Sequence, residues 1–272
     1  MNAPKPRALK WGAFFLLLFA GVALLAPWLS PQNPDRQSLA ERLEPPSPLH
    51  WMGTDELGRD VASRMVWGAR VSLGVGTAAV LATTLIGVLL GALAGAQGGW
   101  VDALIMRAVD IFLCVPTLFL VLALIVFLGP GIENVILVIA LTGWTDIARL
   151  VRAEILSLRE REFVLAARTA GASPWRLILK HLLPNALGPV YVSVTFGLAG
   201  AIMMEAGLSF LGLGVQPPTP SWGSLLTSGQ DYLQTAYWLT LFPGLAICSS
   251  MLVIYLFGEG LREYFNPRAA QR

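Results

Sequence analysis

Five stretches of this chain, residues 11–34, 71–101, 111–132, 182–204 and 232–258, contain no Asp, Glu, Lys or Arg. A helix needs about 20 mostly apolar residues to cross the hydrocarbon of a bilayer, so each stretch is long enough to span it. A sixth span is predicted at 132–150. Glu133 sits at its start and Asp146 and Arg149 near its end, but the interior VILVIALTGW is apolar. Only 13% of the residues are charged, against about 25% in a soluble domain. The chain therefore has too little charge to cover a water-facing core, and the pattern predicts an all-α membrane protein of six transmembrane helices.

The first apolar run follows Lys5, Arg7 and Lys10 and has the opening of a signal peptide. Pro27 and Trp28 interrupt the cleavage region, and the run reads instead as an uncleaved first helix with Trp11 and Trp28 at its two interfaces. Lys and Arg concentrate in cytoplasmic loops. With the N-terminus inside, that side receives Lys5, Arg7, Lys10, Arg107, the arginines from Arg149 to Arg176, Lys180, Arg262, Arg268 and Arg272. The opposite loops 129–133 and 212–237 carry no Lys or Arg, and the loop after helix 1 is mixed. Both termini are thus expected in the cytoplasm of a multi-pass inner-membrane protein. The net charge of +2 gives no reason to expect a nucleic-acid partner. Cys114 and Cys248 fall inside predicted spans as packing residues, and neither His50 nor His181 belongs to a metal-ligand pattern.

After helix 1 comes an external loop, Pro-rich at first. Leu57, Val61, Met65 and Val66 then recur at helical spacing, which suits a short helix along the membrane surface, either capping the bundle or docking a partner. Gly87, Gly91 and Gly95 stack on one face of helix 2 and permit another helix to approach closely. Gly98, Gly99 and Trp100 make a tight turn, and Pro116 kinks helix 3. Residues 1–69 read as an N-terminal helix with its external loop, and 70–272 as the transmembrane core.

The least membrane-like segment runs from Arg149 to Pro184. Residues 152–170 read as an amphipathic helix, Gly171 as its left-handed terminator, and Ser173 as the cap of a second helix with Pro174 at its first position. Pro184 marks the start of helix 5. The product is a compact knob in which Ala166, Ala167, Ala170 and Ala172 leave room for a partner's backbone; spacing alone also allows, as the lesser reading, a charged loop that merely satisfies the charge rule.

The run EFVLAARTAGASPWRLILKHLLPN resembles the cytoplasmic signature loop of binding-protein-dependent ABC permeases: Glu-Ala-Ala, Gly four residues later, then Leu-Pro. Leu165, Ala166, Ala167, Gly171, Leu183 and Pro184 occupy those positions. Leu165 replaces the signature glutamate, with Glu162 one turn earlier as a substitute acid. The blocks at 52–73, 98–110, 205–223 and 258–268 extend the resemblance to the second permease subunit of the dipeptide, oligopeptide and nickel class over nearly the whole chain. The resemblance implies a type I importer-like bundle whose knob is a coupling helix, contacting an ATPase through Glu162, Ala166, Ala167, Gly171, Ala172 and Ser173. It also implies a second permease subunit, two ATP-binding subunits and an external solute-binding protein, and it assigns Gly58, Arg59 and Asp60 to the external loop.

No G-x-x-x-x-G-K-[ST] loop is present, so the chain is not expected to be an enzyme; no cofactor or metal is implied. Glu205 is the one carboxylate deep in a predicted span, which makes it a candidate gate residue together with Pro116, or else a hydrogen-bonding tie within the bundle. The rival class is an ion-coupled secondary transporter, which would show inverted repeats and paired intramembrane charges. The sequence displays neither.

Overall fold

The computed structural model describes residues 7–265. Lys5, Arg268, Arg272 and the last residues of the 258–268 block lie outside the described residues. Apart from an isolated bridge between Thr54 and Asp60, the regular elements are helical. They are α1 (Arg7–Leu24), α2 (Ala26–Leu29), α3 (Val61–Gln97), α4 (Gly99–Leu113), α5 (Thr117–Leu128), α6 (Ile132–Arg159), α7 (Glu162–Thr169), α8 (Pro174–Leu177), α9 (Leu183–Phe210), α10 (Trp222–Gly229) and α11 (Trp238–Phe265).

Six spans were expected, the sixth weaker than the rest, and length and apolarity among the described residues do not establish all six. Four helices are long and apolar enough to cross a membrane: Val61–Gln97, Ile132–Arg159, Pro174–Phe210 and Trp238–Phe265. A fifth crossing exists only if α4 and α5, which meet at 89°, are taken as one broken span. The cause is Pro116, whose ring removes a backbone donor and excludes the preceding residue from helical geometry. What was predicted as a kink is a full corner. The first apolar helix, Ala8–Leu24, is shorter; Pro27 restarts the chain as the four-residue α2.

The short surface helix expected around 57–66 does not exist as a separate element. Asp60 caps α3 by accepting from the Ser63 amide, and nothing in the following sequence breaks the helix before Gly98. Residues 61–66 are therefore the first turns of a 37-residue helix. Gly98 and Gly99 then turn the chain with φ of +68° and +57°.

The bundle is organised by the approach of α3 to α6. A Cβ on Gly87 would lie 2.7 Å from the Ile147 Cβ, one on Gly91 3.0 Å from the Ala148 Cα, and one on Gly95 3.0 Å from the Arg152 carbonyl oxygen. The three glycines thus touch successive turns of α6, as their spacing predicts. Around this seam, Ala92, Ile147, Val151 and Ile155 form one apolar cluster with Val164, Leu177 and Val190. Val75, Ala79, Val135 and Val138 form another with Val121 of α5 and Leu208 of α9. α1 lies against α11, with Leu9 beside Gly260 and Gly12 beside Phe257. Cys114 and Cys248 were expected as packing residues, yet both are exposed on this chain. Cys114 sits at the corner before Pro116, and Cys248 on the outer side of α11.

Gly91→Leu is expected to destabilise the protein by about 1–3 kcal/mol, because the added atoms meet backbone that cannot yield. Gly21→Ala on α1, where a Cβ meets nothing within 4 Å, is expected to be neutral or to stabilise by about 0.5–1 kcal/mol. Thermal unfolding in detergent reads both.

Candidate functional site

At the end of the bundle where α3 stops and α6 overruns it, the chain builds the knob. The amphipathic helix expected over 152–170 is broken at Glu160 and Arg161, the latter extended (φ −73°, ψ 143°). Helical geometry explains the break. Val164 follows Ile155 by nine residues, about two and a half turns, so an unbroken helix would turn it away from the bundle. The break returns Val164 to the same cluster as Ile155, fully buried.

α7 ends in a Schellman motif: the Ala172 amide donates to the Ala167 carbonyl at 3.1 Å and the Gly171 amide to the Arg168 carbonyl at 3.0 Å. Gly171 takes φ +83°, a conformation that costs other L-residues about 1–2 kcal/mol. Ser173 accepts from the Arg176 amide, with Pro174 at the first helical position. The second helix of the knob is not independent, however. α8 passes through a π-helical segment, Ile178–Leu182, directly into α9. Pro184 is the second residue of α9, directly after the π segment, so the amide hydrogen it lacks falls where the helix hydrogen bonding is already irregular.

These turns sort the predicted coupling residues by exposure. Glu162, Ala166, Gly171 and Ser173 are exposed, while Ala167 and Ala172 are half-buried against the Val164–Leu177 cluster. Phe163, Leu165, Trp175 and Leu179 are exposed apolar residues around them.

Toward the other end of the bundle, Glu205 is completely buried. Ser72 of α3 donates to its Oε2 at 2.9 Å, and Ser209 donates to its Oε1 at 2.8 Å. The same two hydroxyls accept from the amides of Trp222 (3.1 Å) and Val215 (3.0 Å). One carboxylate thereby ties α3, α9, α10 and the chain following α9. Pro116 is exposed at the α4–α5 corner, a different element from the Glu205 network.

The segment before α3 folds as a cap over this end. Asp55 Oδ1 accepts from the amides of Leu57 and Arg59, its Oδ2 accepts from Arg59 Nε at 2.6 Å, and Arg64 Nε lies 3.5 Å from the same Oδ2. Asp60 accepts from Ser63 and faces His50 Nδ1 at 3.0 Å. His50, Asp55, Arg59, Asp60 and Arg64 are all buried. Gly58, at φ +69°, leaves no room for a side chain: a Cβ would lie 2.6 Å from the Ser38 carbonyl carbon. Trp238 donates its indole hydrogen to the Thr54 carbonyl and Trp222 to the Met65 carbonyl, both at 3.2 Å.

Residues 87–271 match the family described as binding-protein-dependent transport system inner membrane component, and residues 7–46 match the N-terminal transmembrane domain of oligopeptide transport permease C. A dipeptide transport system permease protein of Bacillus subtilis is 42% identical over 266 residues, covering 97% of this chain and 83% of that protein. A probable D,D-dipeptide transport system permease protein of Escherichia coli is 41% identical over 257 residues, covering 94% and 86%. Among solved structures, an inward-facing form of the MetNI methionine ABC transporter aligns with TM-score 0.58 at 20% identity, covering 75% of this chain and 96% of that one. The chain belongs to the binding-protein-dependent transport family. It is a permease subunit of an ABC importer with the type I fold, which displaces the ion-coupled alternative.

In this permease the sequence reading named Gly58, Arg59 and Asp60 but missed their buried partners His50, Asp55 and Arg64 and the serines that hold Glu205. A signal was present for the cap: Asp55, Gly58, Arg59 and Asp60 in one short run are turn and helix-cap chemistry. Nothing in the sequence pairs Ser72 with Glu205, 133 residues away.

Glu56 sits within the cap, and burial, reinforced by the neighbouring Asp55 charge, raises its carboxyl above the ordinary range. The folded chain therefore holds this proton at pH values where the unfolded chain has released it. Stability contributed by the protonated form declines as pH rises through the raised pKa, and is retained in full below the unfolded value. Glu56→Gln is expected to raise the unfolding temperature at neutral pH, with the difference shrinking as the pH is lowered toward the ordinary glutamate range. A pH series of thermal melts of both proteins checks the sign.

Proposed function

We propose that this permease forms half of the pathway of an ATP-driven importer for short peptides, and that its knob receives the force of a separate ATPase. The peptide class is supported by the dipeptide and peptide permeases that resemble the chain over more than nine-tenths of its length. The single observation that carries the coupling role is the knob itself. It is fastened to the bundle by Val164, locked by the Gly171 turn, and exposes Glu162, Ala166 and Leu165 on its outer side.

The N- and C-termini share the cytoplasm with the knob in this reading. Its support is that α1 begins and α11 ends side by side, as the Leu9–Gly260 contact requires. Two ATP-binding subunits sit below the knob and a solute-binding protein above the cap. The second permease subunit packs along Pro174–Phe210, the apolar span least covered by this chain, with 17% of its most apolar window buried. The N-terminal unit, 1–69, shapes the external face, where Gly58, Arg59 and Asp60 hold the cap in form; residues 70–272 carry the pathway and the coupling. Pro116 sets the corner that brings α5 against α6. Glu205 acts first as a tie between α3, α9 and α10.

Ala166→Arg keeps α7 helical but places a long cation on its outer face. It is expected to abolish transport and cargo-stimulated ATP hydrolysis while the complex still folds and reaches the membrane. Vesicle transport with the purified complex and binding protein measures this; full activity would remove the knob from the coupling role. Mass spectrometry of the ligand copurified with the binding protein identifies the cargo.

Glu205→Gln keeps the shape but removes one of the two acceptor oxygens used by Ser72 and Ser209, at an expected cost of about 1–3 kcal/mol. Reduced assembly with normal transport per assembled complex is the outcome for a tie. Normal assembly with lost transport would assign Glu205 to the gate.

A further inference from the structure

Behind α7, on the side away from Ala166, lies a cavity of about 550 Å³. Its walls include Ala96 at the end of α3, Arg159 at the end of α6, Arg168 of α7, and Trp175, Ile178 and Leu182 of the α8–α9 rod. Two features set it apart from a packing gap. Both charged residues that line it are arginines, and no carboxylate does. Among the described residues neither Arg159 nor Arg168 forms an ion pair, whereas nearby Arg152 is held in a two-pronged pair with Asp102.

Arg159 is fixed in position, since its Nη1 donates to the Gly95 carbonyl at 3.0 Å. That bond uses one of five guanidinium hydrogens and leaves the remainder available for an anion. Apart from Gln97, the rest of the wall is apolar. A ligand that satisfies both halves carries an anionic phosphate and an attached hydrocarbon.

The depth is right for such a ligand. Arg159 reaches the Gly95 carbonyl and the cavity abuts Ala96, both near the end of the uncharged stretch 71–101, so the site lies at the edge of an apolar span. Exposed Trp175 and Leu179 at the same end suit the boundary between headgroups and acyl chains, where an amphipathic indole is favoured. Basic pockets between membrane helices are known to receive phospholipid headgroups.

We propose that this cavity binds one anionic phospholipid, its phosphate between Arg159 and Arg168 and its glycerol and upper acyl carbons against Ala96, Ile178 and Leu182. The lipid comes from the leaflet on the knob side, so its leaflet rests on the orientation proposed above; its binding does not. Because α3, α6, α7 and α8 all contribute walls, the headgroup joins the knob to the two helices of the glycine seam.

The intact transporter is reconstituted in nanodiscs containing phosphatidylcholine and phosphatidylglycerol, released into detergent, and examined for retained lipid by native mass spectrometry. Phosphatidylglycerol is expected to be retained in preference to phosphatidylcholine. Arg168→Gln should reduce its retention about fivefold, as loss of one basic residue at a membrane surface predicts, and Arg168→Lys should restore most of it. The Arg168 side chain is exposed and makes no hydrogen bond among the contacts described, and the backbone carbonyl that Gly171 uses is kept in the variant, so the replacement leaves the fold intact; a monodisperse complex with unchanged subunit ratio checks this.

Equal retention by the wild type and Arg168→Gln, or no preference over phosphatidylcholine, overturns the proposal. A second arm adds soluble glycerol 3-phosphate to the lipid-stripped complex. Thermal stabilisation equal to that given by phosphatidylglycerol would assign the cavity to a soluble phosphate and also overturn the lipid. Neither readout involves ATP or cargo, so failure of the coupling role leaves the result unaffected.

Discussion

The contact between α3 and α6, backbone against backbone along Gly87, Gly91 and Gly95, is the one on which the other arrangements depend. In lipid there is little hydrophobic drive to bring two apolar helices together, because the tails are as apolar as the side chains. Close van der Waals contact must supply the attraction, and three missing Cβ atoms in register permit it. Once the two helices are joined, the far end of α6 carries the knob beyond the end of α3. The near end of α3 presents Ser72 to Glu205 and Trp222.

Polar chemistry in this protein is sparse, and its placement follows the same logic of solvent. Inside the bundle a single carboxylate is satisfied at both oxygens by hydroxyls that each accept from a backbone amide, so its lone pairs do not face hydrocarbon. At the cap, charges are numerous and mostly internal: Asp55 faces both Arg59 and Arg64, with Glu56 beside Arg59 and Asp35 beside Arg64. Ion pairs of this kind contribute little net stability, yet removal of one partner is costly, about 3–5 kcal/mol. They define one arrangement of a Pro-rich segment that has few apolar residues to hold it.

Much of this was legible in the sequence because the physics is local. Uncharged runs mark helices in lipid; glycines four apart mark a seam; Ser173 followed by Pro174, and Gly171 before them, mark a helix start and stop. What was hidden required knowledge of a second element. The 152–170 helix breaks because Val164 has to reach Ile155's cluster, a demand set by the bundle rather than by residues 160 and 161. α8 and α9 merge because the π segment Ile178–Leu182 absorbs the extra residue that a regular helix would have to expel, although Pro184 suggested a boundary. The first turns of α3 looked amphipathic because Arg64 and Asp60 are charged, and their partners, Asp55 and His50, lie upstream in an irregular segment.

The continuity of Pro174–Phe210 has a mechanical consequence. Thirty-seven residues make a rod of about 55 Å, with Trp175 and Ser173 at one end and Glu205 near the other. A tilt of about 10° about its middle would carry each tip roughly 5 Å in opposite directions, by the length that the helical rise gives. The π segment near the knob end and Pro189, which lacks an amide hydrogen inside α9, are the soft points of this lever. Under the proposed coupling role, a push on the knob has two outlets, bending at these points or rocking of the whole shaft. The stiffness of the stretch from Ile178 to Pro189 then apportions the stroke between them.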